Sequence, residues 1–192
     1  MWKETKLNPN QIAEKLSSML KPTSEKLDAH AAVVVLLKVT SQGFQVLLVK
    51  RAEIAGDPWS GQIALPGGKF DGDDEDLKAT VVRETFEETG INLNVGCRFL
   101  GAMELVRSTQ KPEMKILPFL VIQEEDQTIK LYEELTEYFW TPLTEFAKNK
   151  STIKFGVGEY PAYIIENRII WGLTYKIMQN LLSLISSIME EC

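Results

Sequence analysis

The segment spanning residues 65–91, LPGGKFDGDDEDLKATVVRETFEETGI, constrains this chain more than any other. It joins a Pro-Gly-Gly turn to a helix carrying Arg83-Glu84-x-x-Glu87-Glu88-x-Gly90. Successive helical residues turn by about 100°, so Glu84, Glu87 and Glu88 share one face, with Ala79, Val82 and Phe86 roughly opposite. The spacing predicts a helix that packs with one side and binds with the other. Glu75 or Asp76 is expected in the first turn, where negative charge suits the helix dipole. Gly90 falls where a helix end favours positive φ.

Three glutamates on one face repel phosphates, so they hold such groups only through divalent cations that bridge carboxylate and phosphate oxygens. An oxygen-only donor set points to Mg²⁺ or Mn²⁺ rather than to the His and Cys ligands common for zinc. The alternative is a solvated acidic face, and energy does not exclude it, since like charges at i,i+4 cost only about 0.2–0.5 kcal/mol. Co-occurrence decides between them. R-E-x-x-E-E-x-G arises by composition in a chain this size with a probability on the order of a few in ten thousand, before the upstream Gly-Gly is counted.

These residues resemble the Nudix box, G-x5-E-x7-R-E-U-x-E-E-x-G-U, in which U is bulky and apolar. Glu75, Arg83, Glu84, Glu87, Glu88, Gly90 and Ile91 fall in register. The leading Gly position holds Lys69, one residue after Gly68, and Thr85 stands where an apolar residue is expected. The extra residue lies in the loop and leaves the glutamate spacing intact. The resemblance implies an α/β fold, a Nudix-type α/β/α sandwich with a mixed β-sheet. It also implies hydrolysis of a diphosphate bond in nucleoside diphosphate-X compounds. Glu84, Glu87 and Glu88, with a backbone carbonyl of Gly67 or Gly68 (Gly68 preferred), would hold Mg²⁺ or Mn²⁺, and Arg83 would tether the carboxylates, Glu87 at i+4 among them. The general base is left open between a helix glutamate and a distal one such as Glu137.

At 192 residues, with 44% hydrophobic and 25% charged content, one domain over residues 1–192 with a sizeable core is expected. The longest apolar run, residues 31–37, is far short of the roughly 20 residues a membrane span requires, and the first four residues start no signal-peptide pattern; a cytoplasmic protein is expected. Cys97 and Cys192 show no paired ligand spacing, so neither a disulfide framework nor a zinc site is expected. A net charge of −6 argues against nucleic acid as a partner and leaves a small, metal-screened nucleotide compatible. His30, the sole histidine, precedes an apolar strand and is read as structural.

Hydrophobic spacing predicts a helix over residues 8–20 and a hairpin of strands at 31–39 and 44–51. Further strands are predicted at 98–106, 115–123 and 138–140, with helices at 143–148 and 173–189. The last helix carries an apolar stripe of Leu173, Ile177, Leu181, Leu184 and Ile188. Intramolecular packing covers such a stripe, or a homodimer interface does.

Two segments outside the box resemble the coenzyme A pyrophosphatase branch of the Nudix superfamily. Leu47-Leu48-x-x-Arg51-Ala52, followed by Gly61-x-x-x-Leu65-Pro66-Gly67-Gly68, resembles its upstream signature L-L-x-x-R-[SA]-x3-R-x3-G-x3-F-P-G-G. Ile170-Trp171-Gly172-Leu173-Thr174 resembles its I-W-G-x-T element. One extra residue lies between Ala52 and the signature's second arginine, whose place holds Asp57. Arg51 and Lys69 are candidates for phosphate contacts, with solvated strand-end charge as the alternative. For Arg107, Lys111 and Lys115, loop solubility is the favoured reading. Glu134 and Glu137 lie in a segment resembling E-V-x-E-x-x-W-x-P-L of Nudix enzymes and are candidates for an extra acid near the metals, or for plain surface charge. ADP-ribose or another nucleoside diphosphate derivative is the alternative substrate. Other classes are a non-catalytic nucleotide-sensing module and a prenyl-diphosphate isomerase, which needs a catalytic cysteine.

Overall fold

The computed structural model describes residues 7–23, 28–56, 59–108 and 111–190; residues 1–4, Asp57 and Cys192, on which expectations rest, lie outside them. In chain order the elements are α1 (Pro9–Met19), β1 (Ala31–Thr40), β2 (Gly43–Arg51), β3 (Ile63–Ala64), β4 (Gly67–Lys69), α2 (Leu77–Thr89), β5 (Cys97–Ala102), β6 (Val106–Arg107), β7 (Lys115–Gln123), β8 (Leu135–Pro142), α3 (Leu143–Lys148), β9 (Lys150–Phe155), β10 (Gly158–Ile165), β11 (Arg168–Trp171) and α4 (Gly172–Glu190).

Strand β1 is the axis of the molecule. Its apolar run has no polar alternation because both faces are covered, as in parallel-sheet cores. Val33, Val35 and Leu37 join one hydrophobic core and Ala32, Val34 and Leu36 the other, which is the period of two made visible. β1 pairs antiparallel with β2 and β4 and parallel with β7. The main sheet is therefore mixed, ordered β3-β2-β1-β7-β5, with β4, β6 and β8 attached to β1, β7 and β2. The first core is closed by α1, α3, α4 and the three-stranded sheet β11-β10-β9; the second by α2. Helices on both sides of a mixed sheet give the expected α/β architecture.

Helix α1 starts where Asn8 and Gln11 cap each other reciprocally, each side chain accepting the other's backbone N–H at 3.0 and 2.9 Å. In α4, Ile177, Met178, Leu181, Ile185 and Ile188 are buried in the same core as Ile12 and Leu16 of α1, so the apolar stripe is covered mainly from within the chain.

Four expectations need correction. The strand expected at 98–106 is broken into β5 and β6, with Gly101 (φ +155) at a register shift where an added Cβ would lie 2.6 Å from Leu20 Cβ. β8 extends well beyond 138–140. Strands β9, β10 and β11 were not anticipated as strands. Finally, Phe86 is not on the packed side of α2: it is 51% exposed, whereas Val82 rests half-buried against the second core and Leu77, Val81, Thr85 and Glu88 are buried. One side of α2 both packs and binds. Its first half buries Leu77 and Val81 against the sheet, and the same line continues into Glu84 and Glu88 beside β4.

Candidate active site

The Gly-Gly pair is needed because β4 threads between β1 and α2. Gly67 sits at φ +137, and a Cβ there would lie 2.3 Å from the Ala32 carbonyl oxygen. A Cβ on Gly68 would lie 2.3 Å from the Glu84 carboxyl carbon. Backbone and carboxylate thus approach as closely as glycine permits.

Asp76 caps α2 by accepting the Ala79 N–H at 2.7 Å, so the acid stands before the first turn rather than in it, and Gly90 ends the helix at φ +73. Arg83 is the hub of the surrounding network. Its Nε and Nη2 form a fork on Asp74, both at 2.9 Å, Nη1 donates to Glu84 and Glu87 at 3.0 Å, and Nη2 donates to the Lys69 carbonyl at 3.3 Å. The guanidinium hydrogen bonds hold the Asp74 carboxyl far below the usual range, and Arg83 is pushed up in return, foremost by Asp74. Thr80 and the Asp71 N–H complete the shell of Asp74 at 2.8 and 3.0 Å.

Asp74 went unrecognised in the sequence, where Glu75 fills the acidic position of the box. The pairing with Arg83 moves that position back by one. Gly68 then stands at the G-x5-acid spacing, and the extra residue falls between the acid and Arg83. The signal was present as Gly68-x5-Asp74, but neighbouring acids at 71, 73, 75 and 76 hid it.

Glu88 is 6% exposed and its Oε2 accepts the Gly67 N–H at 2.9 Å. Burial pushes its carboxyl up to about 7; the Gly67 hydrogen bond and the Arg51 charge oppose this, and the charges of Glu84 and Glu134 add to it. Glu84 is also raised, first by burial, with Arg83 opposing. Glu87 rests on Arg83 at the surface. Among the described residues no three His, Cys, Asp or Glu side chains already converge as a metal cage. The donor set nevertheless suits a hard divalent cation. Two desolvated carboxylates lie against a Gly-Gly backbone whose missing Cβ atoms leave room only for close oxygen approach, and added positive charge would relieve their burial.

These groups open onto a cavity of about 670 Å³, within the range of small-molecule sites. Arg51, Lys69, Glu84, Glu88 and Glu134 supply its polar wall, Val33, Val49, Ile63, Leu65, Ile116 and Ile177 an aliphatic wall, and Trp59, Phe155, Tyr160 and Trp171 an aromatic one. Arg51 and Lys69 are thus brought beside the glutamates. Trp171, Gly172 and Thr174 of the I-W-G-x-T element also line it, Thr174 donating to the Ile63 carbonyl at 3.1 Å.

Other candidates lie elsewhere. Glu137 is paired with Lys50 at 3.2 Å and Arg168 at 3.9 Å and does not line the cavity, which leaves Glu134 as the distal acid. Arg107 donates to the Pro112 carbonyl, Lys115 pairs with Asp28 and Lys111 lies over the Trp59 ring; none of the three lines the cavity. His30 Nδ1 accepts the Lys115 N–H at 3.2 Å, a structural contact. Cys97, the cysteine among the described residues, is outside the cavity, its thiol pushed up to about 11, first by burial, so it does not supply the nucleophile an isomerase reading needs.

Residues 28–158 match the family model described as NUDIX domain. The peroxisomal coenzyme A diphosphatase ndx-8 of Caenorhabditis elegans is 29% identical over 143 residues, covering 72% of this chain and 59% of that protein. The chain therefore spans less than two thirds of that relative's length. The uncharacterized Nudix hydrolase NudL of Yersinia pestis (strain Pestoides F) is 31% identical over 150 residues, 73% of this chain and 72% of that protein. Among solved structures, the Nudix hydrolase RenU from M. smegmatis superposes with a TM-score of 0.58 at 18% identity, covering 83% of this chain and 87% of that one, a likeness of fold.

Proposed function

The chain belongs to the NUDIX domain family, and from that premise we propose that it forms one such domain over residues 1–192 and hydrolyses a diphosphate bond in small nucleoside diphosphate-X compounds. Coenzyme A or its derivatives are the preferred substrates, cleaved to 3′,5′-ADP and a phosphopantetheine. One observation carries the reading: Glu84 and Glu88 share a cavity with Arg51 and Lys69, so cation-binding and phosphate-binding groups face the same space. The coenzyme A assignment draws on the C. elegans relative's name and on the two sequence segments that reach this cavity from either side of the box.

In this proposal Glu84, Glu87 and Glu88, with the Gly68 carbonyl, hold Mg²⁺ or Mn²⁺. The bound cation supplies charge neutralisation at the phosphates and acidifies water. Arg83 tethers the carboxylates of Glu84 and Glu87 through one shared nitrogen while its fork on Asp74 fixes the guanidinium. Arg51 and Lys69 bind phosphate oxygens. Glu88 or Glu134 takes the proton released as water adds to phosphorus; the bridging P–O bond breaks and two phosphomonoesters leave. No helix among the described residues is long and apolar enough to cross a membrane, and a cytoplasmic site of action belongs to the same proposal.

The test is a product assay on coenzyme A, dephospho-coenzyme A, ADP-ribose, NADH, dinucleoside polyphosphates and oxidised dNTPs with Mg²⁺ or Mn²⁺, against an EDTA control. Metal-dependent release of 3′,5′-ADP from coenzyme A is the expected result. Turnover of ADP-ribose alone would move the substrate assignment. Metal-dependent binding with no turnover of any compound would favour a nucleotide-sensing module.

A further inference from the structure

Three of the four rings in the aromatic wall of the cavity come from the three-stranded sheet, and their arrangement is specific. The pairing register places Gly158 opposite Phe155 and Ala162 opposite Trp171, with Tyr160 between them on β10. Residues 158, 160 and 162 share one face of a strand, so Phe155, Tyr160 and Trp171 stand together on that face. Two small residues separate them. A Cβ on Gly158 would lie 2.9 Å from the Tyr160 ring, so glycine at this position lets that ring lie down across the strand. The Trp171 centroid is 4.8 Å from Phe155 and 5.8 Å from Tyr160, with interplanar angles of 46° and 59°. The rings touch without stacking flat, and Phe155 is 55% exposed. Aromatic faces left open to a cavity lose apolar contact that a planar ligand would restore.

We propose that Phe155, Tyr160 and Trp171 form the seat of a nucleobase, which lies against this wall while the diphosphate reaches Glu84 and Glu88. This rests on the diphosphate reading above and adds an orientation to it. The nucleoside half faces the three-stranded sheet, and the remaining half of the substrate faces the aliphatic wall of Val33, Val49 and Ile63. A planar π-surface matches the rings, whereas a flexible uncharged chain gains more from the aliphatic side. Stacking recognises a base by its face, so purines are bound more tightly than pyrimidines with no steep choice between adenine and guanine.

The experiment is calorimetric titration of the EDTA-treated protein with AMP and, separately, with 4′-phosphopantetheine. Wild type is compared with Trp171→Leu, Trp171→Phe and the exposed hairpin variant Phe155→Leu. Trp171→Leu should weaken AMP about tenfold or more, as expected for loss of one stacking ring. Trp171→Phe should retain most of the affinity, and 4′-phosphopantetheine should change less than threefold in either. Equal AMP affinity in wild type, Trp171→Leu and Phe155→Leu would overturn the proposal, as would selective loss of 4′-phosphopantetheine. The two readings fail separately. AMP binding that depends on Trp171 in a protein that hydrolyses no diphosphate would keep the base seat and reject the hydrolase. Hydrolysis with KM unmoved in both leucine variants would do the reverse.

Discussion

Replacing Glu88 by Gln is expected to stabilise the metal-stripped protein while removing its activity. The Glu88 carboxyl is buried and pushed from an ordinary 4.5 to about 7, chiefly by burial. For a carboxyl raised in the folded state, the favourable contribution is fully present below about pH 4.5 and is lost as pH rises through about 7. A displacement of about 2.5 in pKa, at about 1.36 kcal/mol each, makes the ionised side chain cost about 3 kcal/mol at pH 8 and about 1 kcal/mol at pH 5. Gln resembles the protonated acid, keeps an oxygen for the Gly67 N–H and escapes that cost. For a chain of this size about 3 kcal/mol corresponds to about 6–12 °C in Tm. Thermal unfolding in EDTA should therefore show Glu88→Gln melting about 6–12 °C above wild type at pH 8 and within about 3 °C at pH 5. Saturating Mg²⁺ should narrow the gap by raising wild type through binding linkage. A variant melting at or below wild type at pH 8 in EDTA would refute the claim that a desolvated charge sits at this position, and full activity of the folded variant would remove Glu88 from the metal site.

Gly68→Ala places a methyl group against a flexible carboxylate rather than against backbone, so kcat should fall about a hundredfold through displacement of Glu84 while Tm drops by only a few degrees; a crystal structure or steady-state kinetics with Glu84 and rate unmoved would contradict this. Arg83→Lys keeps the charge but loses the fork on Asp74 and the shared contact to Glu87, so activity should fall about tenfold or more and far more than stability; wild-type kcat/KM would reduce Arg83 to surface charge. With Asp57 where the branch signature carries arginine, discrimination between coenzyme A and its dephospho form should stay below about tenfold, because a charge contact contributes about 1.5–3 kcal/mol when present. A hundredfold preference in kcat/KM would show that another cation reads the extra phosphate.

The glutamate spacing on α2 was legible because helical period alone puts Glu84 and Glu88 on one line, and β1 and β7 were legible as apolar runs. Which side of α2 packs was not. Phe86 is apolar, and its exposure depends on a β4 turn that brings Glu84 and Glu88 inward, a tertiary fact with no local signature. Asp74 was hidden among equivalent acids, since only the folded loop selects the one that meets Arg83. Strands β9 and β10 were missed because Lys150, Ser151, Thr152 and Lys154 are polar and exposed, and Gly158 and Pro161 resemble breakers. The I-W-G-x-T motif marks Trp171 in the sequence, but its place in the cavity follows from the three-stranded sheet, which has no local signature.

Residues 31–33 of β1 are held on one edge by β4 and on the other by residues 116–118 of β7. Both partners are distant in sequence, the second by more than 80 residues, so loop closure must precede any reward from pairing, which places these contacts among those that slow folding. The short strand β4 that carries Gly67 and Gly68 is thus anchored to a strand that itself depends on a segment made much later. A fragment carrying the box but lacking residues 31–38 or 115–123 would retain every glutamate and still fail to present them. Shortened versions for expression, or insertions that split the chain, should accordingly spare both segments and use the exposed 156–157 turn between β9 and β10 instead.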